Sequence, residues 1–361
     1  MKIELIFVIF AVIGAIDKII GNRFKLGEEF DKGIMTAGPL IISMSGMIVL
    51  APVLATALKT VFGPVLEFLH MDASVLSAFF AVDAGGASMA YELSANEAVR
   101  GYNGIVVASM FGATICPVIP LALQMIDKKY HGDALIGFLC GFATIPVGCI
   151  VAGLMLGLSI GELLVNTLLI LTISGVICLG LWKCPDLSQK IFGIIGAALT
   201  IFVTAGLVIG AVQMLLGITL IPGITPLAES FTIIGNIALI LTGIFPLLAI
   251  ISRVFNKAFQ RFGKAMKLDN TSVLGLVTTL ANSIPVFSMV EKMNKKGRIL
   301  NMAFGVSAAY VFGDHLAFVL SFDRSFALSM VVGKLISGIL AVVLASVVYK
   351  RSFAAKDETE S

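Results

Sequence analysis

Charged residues are scarce in this 361-residue sequence, since they make up 13% of it, about half the roughly 25% of an average soluble domain. Hydrophobic residues make up 58%, and the mean hydropathy is +1.03. So few charges cannot cover a soluble fold of this size. The apolar runs recur at lengths of about 20 residues, enough for a helix to cross a bilayer. The sequence therefore predicts an all-α polytopic membrane protein that is embedded in the lipid bilayer.

Residues that bind metals or form disulfides are also few. Five cysteines form no C-x-x-C pair, and three histidines form no H-x-x-x-H or H-E-x-x-H pair. We therefore expect neither a metal site nor a cofactor. The net charge is only +3, and the basic residues sit in short loops, so we expect no nucleic-acid partner. The apolar N-terminus has no small-x-small cleavage site, and we interpret it as a retained span.

Nine apolar segments are long enough to be full spans. They cover residues 3–20, 34–57, 102–125, 134–158, 163–182, 190–216, 231–253, 298–322 and 327–349. Two further apolar segments, 73–91 and 271–290, are interrupted by Ala84-Gly85-Gly86 and by Asn282-Ser283-Ile284-Pro285. Each half-segment reaches only the middle of a core about 30 Å thick. Each segment is therefore a re-entrant hairpin or a discontinuous crossing helix.

The distribution of Lys and Arg separates these alternatives, because cytoplasmic loops carry the excess of positive charge. If both segments re-enter and the N-terminus is outside, twenty of the 25 basic residues are cytoplasmic. Lys334 then lies within a span, and the basic residues outside are Lys2, Lys59, Arg100 and Arg324. If both segments crossed, the basic residues would divide equally. The sequence predicts two re-entrant hairpins, an external N-terminus and a cytoplasmic C-terminus.

An internal similarity predicts inverted repeats. Residues 45–76 resemble residues 242–274, and Ser-Met-Phe-Gly at 109–112 matches Tyr-Val-Phe-Gly at 310–313. A repeat with four crossings and one hairpin makes the second copy enter from the opposite face, as in secondary transporters. The predicted units are a first repeat at 1–162, a connecting helix at 163–182, a second repeat at 183–350 and a polar cytoplasmic tail at 351–361.

Polar residues at the two hairpin apices are candidate ligands. Asp83 lies in AVDAGGASMAYEL, where Gly85 and Gly86 leave backbone groups free beside it. A carboxylate at membrane depth is costly and indicates a functional site that binds a small cation, although aspartate also commonly caps a helix. Asn282 and Ser283, at the second apex, either contact a ligand or close the turn.

Three other polar residues lie at membrane depth. Asp314 and Lys334 lie at similar distances from the outer ends of neighbouring spans, which predicts a structural ion pair. His315, beside Asp314, is more typical of a hydrogen-bonded packing residue than of a proton carrier. Glu92 follows the first hairpin near the interface, where a solvated carboxylate is ordinary.

A ridge of glycines is a candidate surface for helix packing. Gly153, Gly157 and Gly161 follow the pattern G-x-x-x-G-x-x-x-G. This spacing predicts close helix packing, either within the chain or between subunits, and in the second case a homo-oligomer.

Several stretches resemble one known family. TTLANSIPVFSM, FGVSAAYVFGDHLAF, VVGKLISG, AVDAGGASMAYEL and TIPVGCIVAG are similar to the corresponding stretches of the bacterial ethanolamine-utilisation permease family. The resemblance covers nearly the whole chain. It implies uptake of ethanolamine across the inner membrane, to feed a cobalamin-dependent ammonia-lyase.

The resemblance also suggests how the candidate residues would act. Ethanolamine is a two-carbon ammonium with one hydroxyl, so a site needs a carboxylate and several further polar groups. Asp83, Asn282, Ser283 and Thr114 offer these groups. The alternatives are a channel-like facilitator of neutral amine, a secondary transporter of another small organic solute, and an intramembrane enzyme using His315 with its neighbouring aspartate. The enzyme alternative is disfavoured, because the sequence offers no second histidine beside His315, no metal-binding cluster and no activated nucleophile at a recognisable spacing.

Overall fold

The fold is taken from a computed structural model, which describes residues 3–79 and 86–352 apart from the side chains of residues 116 and 117. Every regular element in these ranges is helical, which confirms the predicted all-α fold. Of the predicted tail at 351–361, the described part continues the last helix to Ser352.

Sixteen α-helices make up most of the described chain. In order they are α1 (Ile3–Ile19), α2 (Leu26–Met35), α3 (Ala37–Phe68), α4 (Gly86–Leu93), α5 (Glu97–Gly101), α6 (Ile119–Met125), α7 (His131–Met155), α8 (Ile160–Lys183), α9 (Pro185–Leu216), α10 (Leu227–Val254), α11 (Asn256–Met266), α12 (Asn270–Ala281), α13 (Ile284–Phe287), α14 (Lys295–Ala308), α15 (Asp314–Phe322) and α16 (Ala327–Ser352). Short 3₁₀ turns cover Ala73–Ala78, Lys128–Tyr130, Val290–Lys292 and Arg324–Phe326, and Tyr102–Gly112 and Thr114–Val118 are π-helical.

Six helical stretches of the described chain are long and apolar enough to cross a membrane. They are Leu26–Phe68, Lys128–Met155, Ile160–Lys183, Pro185–Leu216, Leu227–Val254 and Arg324–Ser352. Each contains or closely overlaps one of the predicted spans. Large apolar side chains on α8 and α9, such as Leu164 and Leu215, are exposed. In a bilayer such faces contact lipid, and the helix satisfies the backbone groups itself.

The remaining three predicted spans are less regular. Residues 3–20 form α1, whose 17 residues extend about 26 Å at 1.5 Å per residue. Residues 102–125 are π-helical over most of their length before α6. The expectation of one continuous helix over 298–322 is wrong, because α14 ends at Ala308 and α15 begins at Asp314.

Close backbone approaches at two glycines join the long helices. A methyl group at Gly46 of α3 would lie 1.7 Å from the carbonyl oxygen of Val203 in α9. A methyl group at Gly243 of α10 would lie 1.9 Å from the carbonyl oxygen of Phe7 in α1. Only glycine permits these contacts, as is common where membrane helices cross. The pairs α3–α9 and α10–α1 therefore pack with their backbones touching.

Three further helices pack together around the π-helical segment. Helices α7, α14 and α16 pack against one another and against the π-helical segment. Helices α7 and α16 meet where Gly148 approaches Gly333, so that a methyl group at Gly148 would lie 2.4 Å from the Gly333 carbonyl oxygen. This crossing brings the next residue, Lys334, into the interior, where its side chain is buried.

The predicted glycine ridge does not form on one helix. Helix α7 ends at Met155, and Gly157 has a φ of +74° in the turn that leads to α8. Gly161 lies in the first turn of α8, while Gly153 packs against Leu163 of the same chain. The expectation of a continuous ridge is therefore wrong, because a left-handed glycine reverses the chain in its middle.

Candidate functional site

The first predicted apex lies mostly outside the described residues. Asp83 and Gly85 belong to the undescribed range 80–85, so their predicted contacts stay predictions. Gly86 opens α4 and is buried. Helix α4 packs against the π-helical segment and α3, so the end of this apex lies within the core.

At the second predicted apex, the helix is interrupted where the sequence predicts an interruption. Helix α12 ends at Ala281, and α13 begins at Ile284 with Pro285 in its first turn. Asn282 is half-buried, and its Oδ1 accepts a hydrogen bond from the Ile284 amide at 2.9 Å, so it closes the turn. Ser283 is only 1% exposed, and its Oγ has no hydrogen-bond partner among the described residues. Of the two, Ser283 is the one that retains a free polar group.

A narrow crevice faces Ser283. Its polar lining comes from Ser283, Thr279 and Asn301, and Val118, Phe138 and Gly305 are among its apolar lining. The side chain of Asn301 is fully buried, and its Oδ1 has no hydrogen-bond partner in the described part of the chain. Two residues that line this crevice thus carry a buried oxygen without a partner in the described ranges, and such groups are costly unless something bonds to them.

The break between α14 and α15 is held by the same apex. The amides of Tyr310 and Phe312 donate to the carbonyl oxygens of Thr279 and Leu280, at 3.0 and 2.8 Å. These carbonyls belong to the last turn of α12, where no amide of the same helix follows to bond them. Tyr310 has a φ of +60°, a strained conformation for a side chain of this size. Exchange of hydrogen bonds between the two segments thus explains why the predicted span is interrupted.

The second interrupted segment has its two ends joined by Asp269. This carboxylate accepts from the amide and hydroxyl of Ser272, at 2.8 and 2.7 Å, and from the amide of Asn294 at 2.6 Å. Burial raises the pKa of this carboxyl, but the hydrogen bonds from Asn294 and Ser272 outweigh burial and hold the pKa below its ordinary value. We call Asp269, Ser272 and Asn294 the second clasp.

The first interrupted segment is joined in the same way by Asp72. Its carboxylate accepts from the Ser74 amide and hydroxyl, at 2.8 and 2.5 Å, and from the Ser94 hydroxyl at 2.6 Å. We call Asp72, Ser74 and Ser94 the first clasp. In both clasps, a residue just before the interrupted segment contacts a residue just after it.

Two buried asparagines reach the clasps. Asn103 Nδ2 donates to Ser74 Oγ at 3.0 Å, and Asn301 Nδ2 donates to the carbonyl oxygen of Ser272 at 2.9 Å. In each, Oδ1 has no hydrogen-bond partner among the described residues. Neither asparagine is predicted above as a site residue, although the sequence contains a signal: Asn-x₃-Arg-x₂-Asn occurs at 96–103 and again at 294–301.

Thr114 bridges two parts of the core. It is buried, and its Oγ1 lies 2.7 Å from the carbonyl oxygen of Met110 and 2.5 Å from that of Val306. A hydroxyl has one proton, so it donates to one of these carbonyls at a time. Thr114 thereby ties the π-helical segment to α14. π-Helical segments are frequent at functional sites.

Lys334 and His315 are in contact in the buried interior. Lys334 Nζ donates to the carbonyl oxygen of Ser109 at 2.6 Å and lies 3.2 Å from His315 Nδ1. Both side chains are 1% exposed. His315 Nε2 is buried without a partner in the described part of the chain, and the Tyr310 ring lies beside the imidazole at 5.2 Å between centroids.

The expected direct ion pair between Asp314 and Lys334 does not form. No ion pair within 4.0 Å joins these two described residues, because Lys334 points to Ser109 and His315 instead. Asp314 Oδ1 accepts a hydrogen bond from the His315 amide at 3.0 Å. Similar depth along neighbouring helices was therefore not enough to identify the partner.

The remaining predicted polar residue, Glu92, lies at the surface. It is exposed and borders a groove with Lys59 and Thr60 of α3, as expected for a residue near the interface. No group of three or more His, Cys, Asp or Glu within 3–79 and 86–352 is arranged to hold a metal ion.

Long apolar helices with lipid-facing surfaces, packed around a buried polar centre, define a multi-pass membrane protein. Comparison with known protein families identifies the family to which this membrane protein belongs. The chain belongs to the family described as ethanolamine utilisation protein, EutH, whose family model matches residues 2–348. This confirms the resemblance found in the sequence motifs, and it makes the chain a membrane permease rather than an enzyme.

Named relatives cover almost the whole chain. The "Probable ethanolamine permease EutH" of Listeria monocytogenes serotype 1/2a (strain 10403S) is 43% identical over 340 residues, which are 94% of this chain and 91% of the relative. The protein of the same name in Salmonella typhimurium (strain LT2) is 34% identical over 395 residues, covering 99% and 97%. The "Uncharacterized protein YxeR" of Bacillus subtilis (strain 168) is 37% identical over 338 residues, covering 93% and 91%. No solved structure gives a significant match.

Proposed function

We propose that this protein carries ethanolamine across the bacterial inner (plasma) membrane. The observation that carries the proposal is the 43% identity, over 94% of this chain, to a relative named probable ethanolamine permease. Membership of the same family over residues 2–348 supports it. Six helices able to span a membrane and a polar centre among them are the structural features that such an activity needs.

The proposed architecture has nine membrane-spanning segments and two re-entrant hairpins in two inverted repeats, 1–162 and 183–350. Corresponding contacts in the two halves support it. Each half contains a clasp, and each clasp is contacted by an asparagine, Asn103 or Asn301. Likewise, Gly46 meets Val203 in the way that Gly243 meets Phe7. Inverted repeats are the usual plan of secondary transporters.

The proposed orientation has the N-terminus outside and the C-terminus in the cytoplasm. The clasps support re-entry, because a segment that enters and leaves on one side brings its two ends together, as Asp269 and Asn294 are brought together. With re-entry, the excess of Lys and Arg lies on the cytoplasmic side, as the positive-inside rule requires.

The proposed substrate site lies near the membrane midplane between the two apices. Asp83 would accept the ammonium, and the apex backbone at Gly85 and Gly86 would surround it. Asn282, Ser283 and Thr114 are the proposed polar groups for the remaining N–H donors and the hydroxyl. Among these, the Ser283 Oγ is buried and has no partner in the described part of the chain. It is therefore the group best prepared to bond with a ligand, since Asn282 already closes its turn.

A second candidate function is a channel-like passage for neutral amine. The observation that favours it is the burial of Lys334 with no carboxylate of the described chain within 4.0 Å of its amine group. A positive charge on this buried lysine would repel a second cation, whereas a neutral amine would not be repelled. A transporter of another small organic solute remains a third alternative, and competition by unlabelled solutes against labelled ethanolamine tests it.

Uptake of radiolabelled ethanolamine into proteoliposomes tests the proposal. We expect saturable uptake that depends on the protein, measured with and without imposed Na⁺ and H⁺ gradients. Carriage of the charged amine gives a rate that changes little between pH 6 and pH 8. A neutral-amine channel instead accelerates about tenfold for each pH unit, because the neutral fraction rises by that factor below the amine's pKa. Uptake no faster than in empty liposomes would refute transport altogether.

A further inference from the structure

Lys334 and His315 form a contact that the proposed substrate site does not use. Among the described residues, Lys334 Nζ has two acceptors, the carbonyl oxygen of Ser109 at 2.6 Å and His315 Nδ1 at 3.2 Å. Since an ammonium only donates, His315 Nδ1 accepts and the imidazole proton is on Nε2. That Nε2 is buried and has no partner among the described residues.

The number of hydrogen-bond donors suits a group that gains and loses a proton. A lysine ammonium has three N–H donors, one more than the two acceptors around Nζ. A neutral amine has two N–H donors, which match Ser109 and His315 one for one. Lys334 can therefore lose a proton while both hydrogen bonds remain, and no side chain has to move.

The described groups that face Lys334 leave its charge weakly compensated. From α15 they are His315, in contact, and Asp314, beyond 4.0 Å; from α7, Cys149 lies within electrostatic range. The π-helical segment contributes the Ser109 carbonyl. The basic residues of α14 are confined to its first turn, Lys295 to Arg298. The charge of Lys334 is therefore sensitive to any further cation that enters the core.

The contact also bridges parts of the fold that surround the second apex. Ser109 belongs to the π-helical segment, whereas His315 lies in the first turn of α15. That turn follows the break whose amides bond to Thr279 and Leu280 at the end of α12. A shift of the apex would therefore move His315 relative to Ser109 and change the surroundings of Lys334 Nζ.

We propose that Lys334 and His315 form a proton site that is coupled to transport, so that entry of one substrate ammonium releases one proton. An N–H bond of the Lys334 ammonium breaks, its electron pair stays on Nζ, and the proton passes to water. When the substrate leaves, Nζ takes up a proton from water again. The exchange of one cation for one proton makes transport electroneutral. The inference rests on the proposed function, because it needs an ammonium as substrate.

Calorimetry of ethanolamine binding tests the proposal on the purified full-length protein. The binding heat is measured at pH 7 in buffers of different ionisation enthalpy, and its slope counts the protons released per amine bound. We expect about one proton for the wild type and none for Lys334→Met. Lys190→Met, which removes an exposed lysine of α9, serves as the matched control and should still release about one.

The possible outcomes separate this inference from the proposed function. Ethanolamine uptake into proteoliposomes with a slope of zero for the wild type would overturn the proton site alone. Release that persists in Lys334→Met would also overturn it, because the proton would then come from the substrate. Lys334→Gln, which keeps two N–H donors, replaces Lys334→Met if the latter does not fold. Absence of uptake and binding in the wild type would overturn the proposed function, and this inference with it.

Discussion

Replacing Asp269 by asparagine should open the second clasp without unfolding the protein. Asp269 Oδ1 accepts from the Ser272 amide, and Oδ2 accepts from the Ser272 hydroxyl and the Asn294 amide. Asparagine keeps one oxygen, which can continue to cap α12. Its amide nitrogen is a donor in place of Oδ2, so the Asn294 amide loses its acceptor and meets a second donor.

The size of the effect follows from these contacts. A hydrogen bond to a charged group contributes about 1.5–3 kcal/mol, and partial exposure of this carboxylate places the loss towards the lower end of that range. We expect the clasp to be destabilised by about 2 kcal/mol, which corresponds to about a 30-fold larger open population. The repeat-related Asp72→Asn should have a smaller effect, because the Ser94 hydroxyl that it abandons can rotate to another acceptor.

Hydrogen–deuterium exchange in detergent, followed by mass spectrometry of peptides covering residues 268–300, measures the open population. We expect exchange in these peptides about 30-fold faster in Asp269→Asn, while α9 and α16 keep their rates. Asp186→Asn, at an exposed helix start, is the matched control. Exchange within threefold of the wild type, in a folded variant, would refute the claim that Asp269 holds the two ends together.

The pH dependence of the same clasp has a definite sign. Because the pKa of Asp269 is held below its ordinary value in the folded protein, its stabilisation is present at neutral pH and is lost as the pH falls through the lowered pKa. The difference in exchange between the wild type and Asp269→Asn should therefore shrink in acid. A difference that grows on acidification would contradict this assignment.

Three further predictions concern the site and the orientation. Asp83→Asn should express normally but bind ethanolamine roughly tenfold to a hundredfold more weakly in calorimetry, from loss of a charge-assisted bond of about 1.5–3 kcal/mol; unchanged affinity would remove Asp83 from the site. Gly313→Ala should lower the folded yield, since its methyl group would lie 2.0 Å from a carbonyl oxygen at the end of α12, whereas Gly305→Ala has room; equal yields would contradict this. Single cysteines at Lys59 and Arg100 should both react with an impermeant maleimide from outside, and labelling from opposite sides would refute the re-entrant arrangement.

Much of the membrane architecture could be predicted from the sequence, because hydropathy and helix length are local properties. The six long apolar helices coincide with six of the predicted spans. The interruption at Asn282 and Ser283 was also predictable, because Pro285 has no amide hydrogen to donate and its ring clashes with the preceding turn. The family motifs were equally visible, since they are stretches of consecutive residues.

The break at residues 309–313 was not predictable from local signals. The break contains no proline, and its one glycine, Gly313, lies at its end, so hydropathy favours a continuous helix. The break forms because the amides of Tyr310 and Phe312 bond to carbonyls at the end of α12, about thirty residues earlier in the chain. A helix can be interrupted when hydrogen bonds to another segment replace those within the helix. These acceptors lie close enough only in the folded protein, so the sequence around the break does not reveal them.

The partner of Lys334 was decided in the same way. The sequence placed Asp314 and Lys334 at similar depths, and opposite charges in an apolar medium favour pairing. The depth of two residues in the membrane does not determine how each helix is rotated about its axis or at what angle the helices cross. The approach of Gly148 to Gly333 sets that crossing and turns Lys334 towards the Ser109 carbonyl and His315. Hydropathy and proline therefore determined where the chain enters the membrane and where α12 ends, whereas close packing of distant backbones decided which buried polar groups meet.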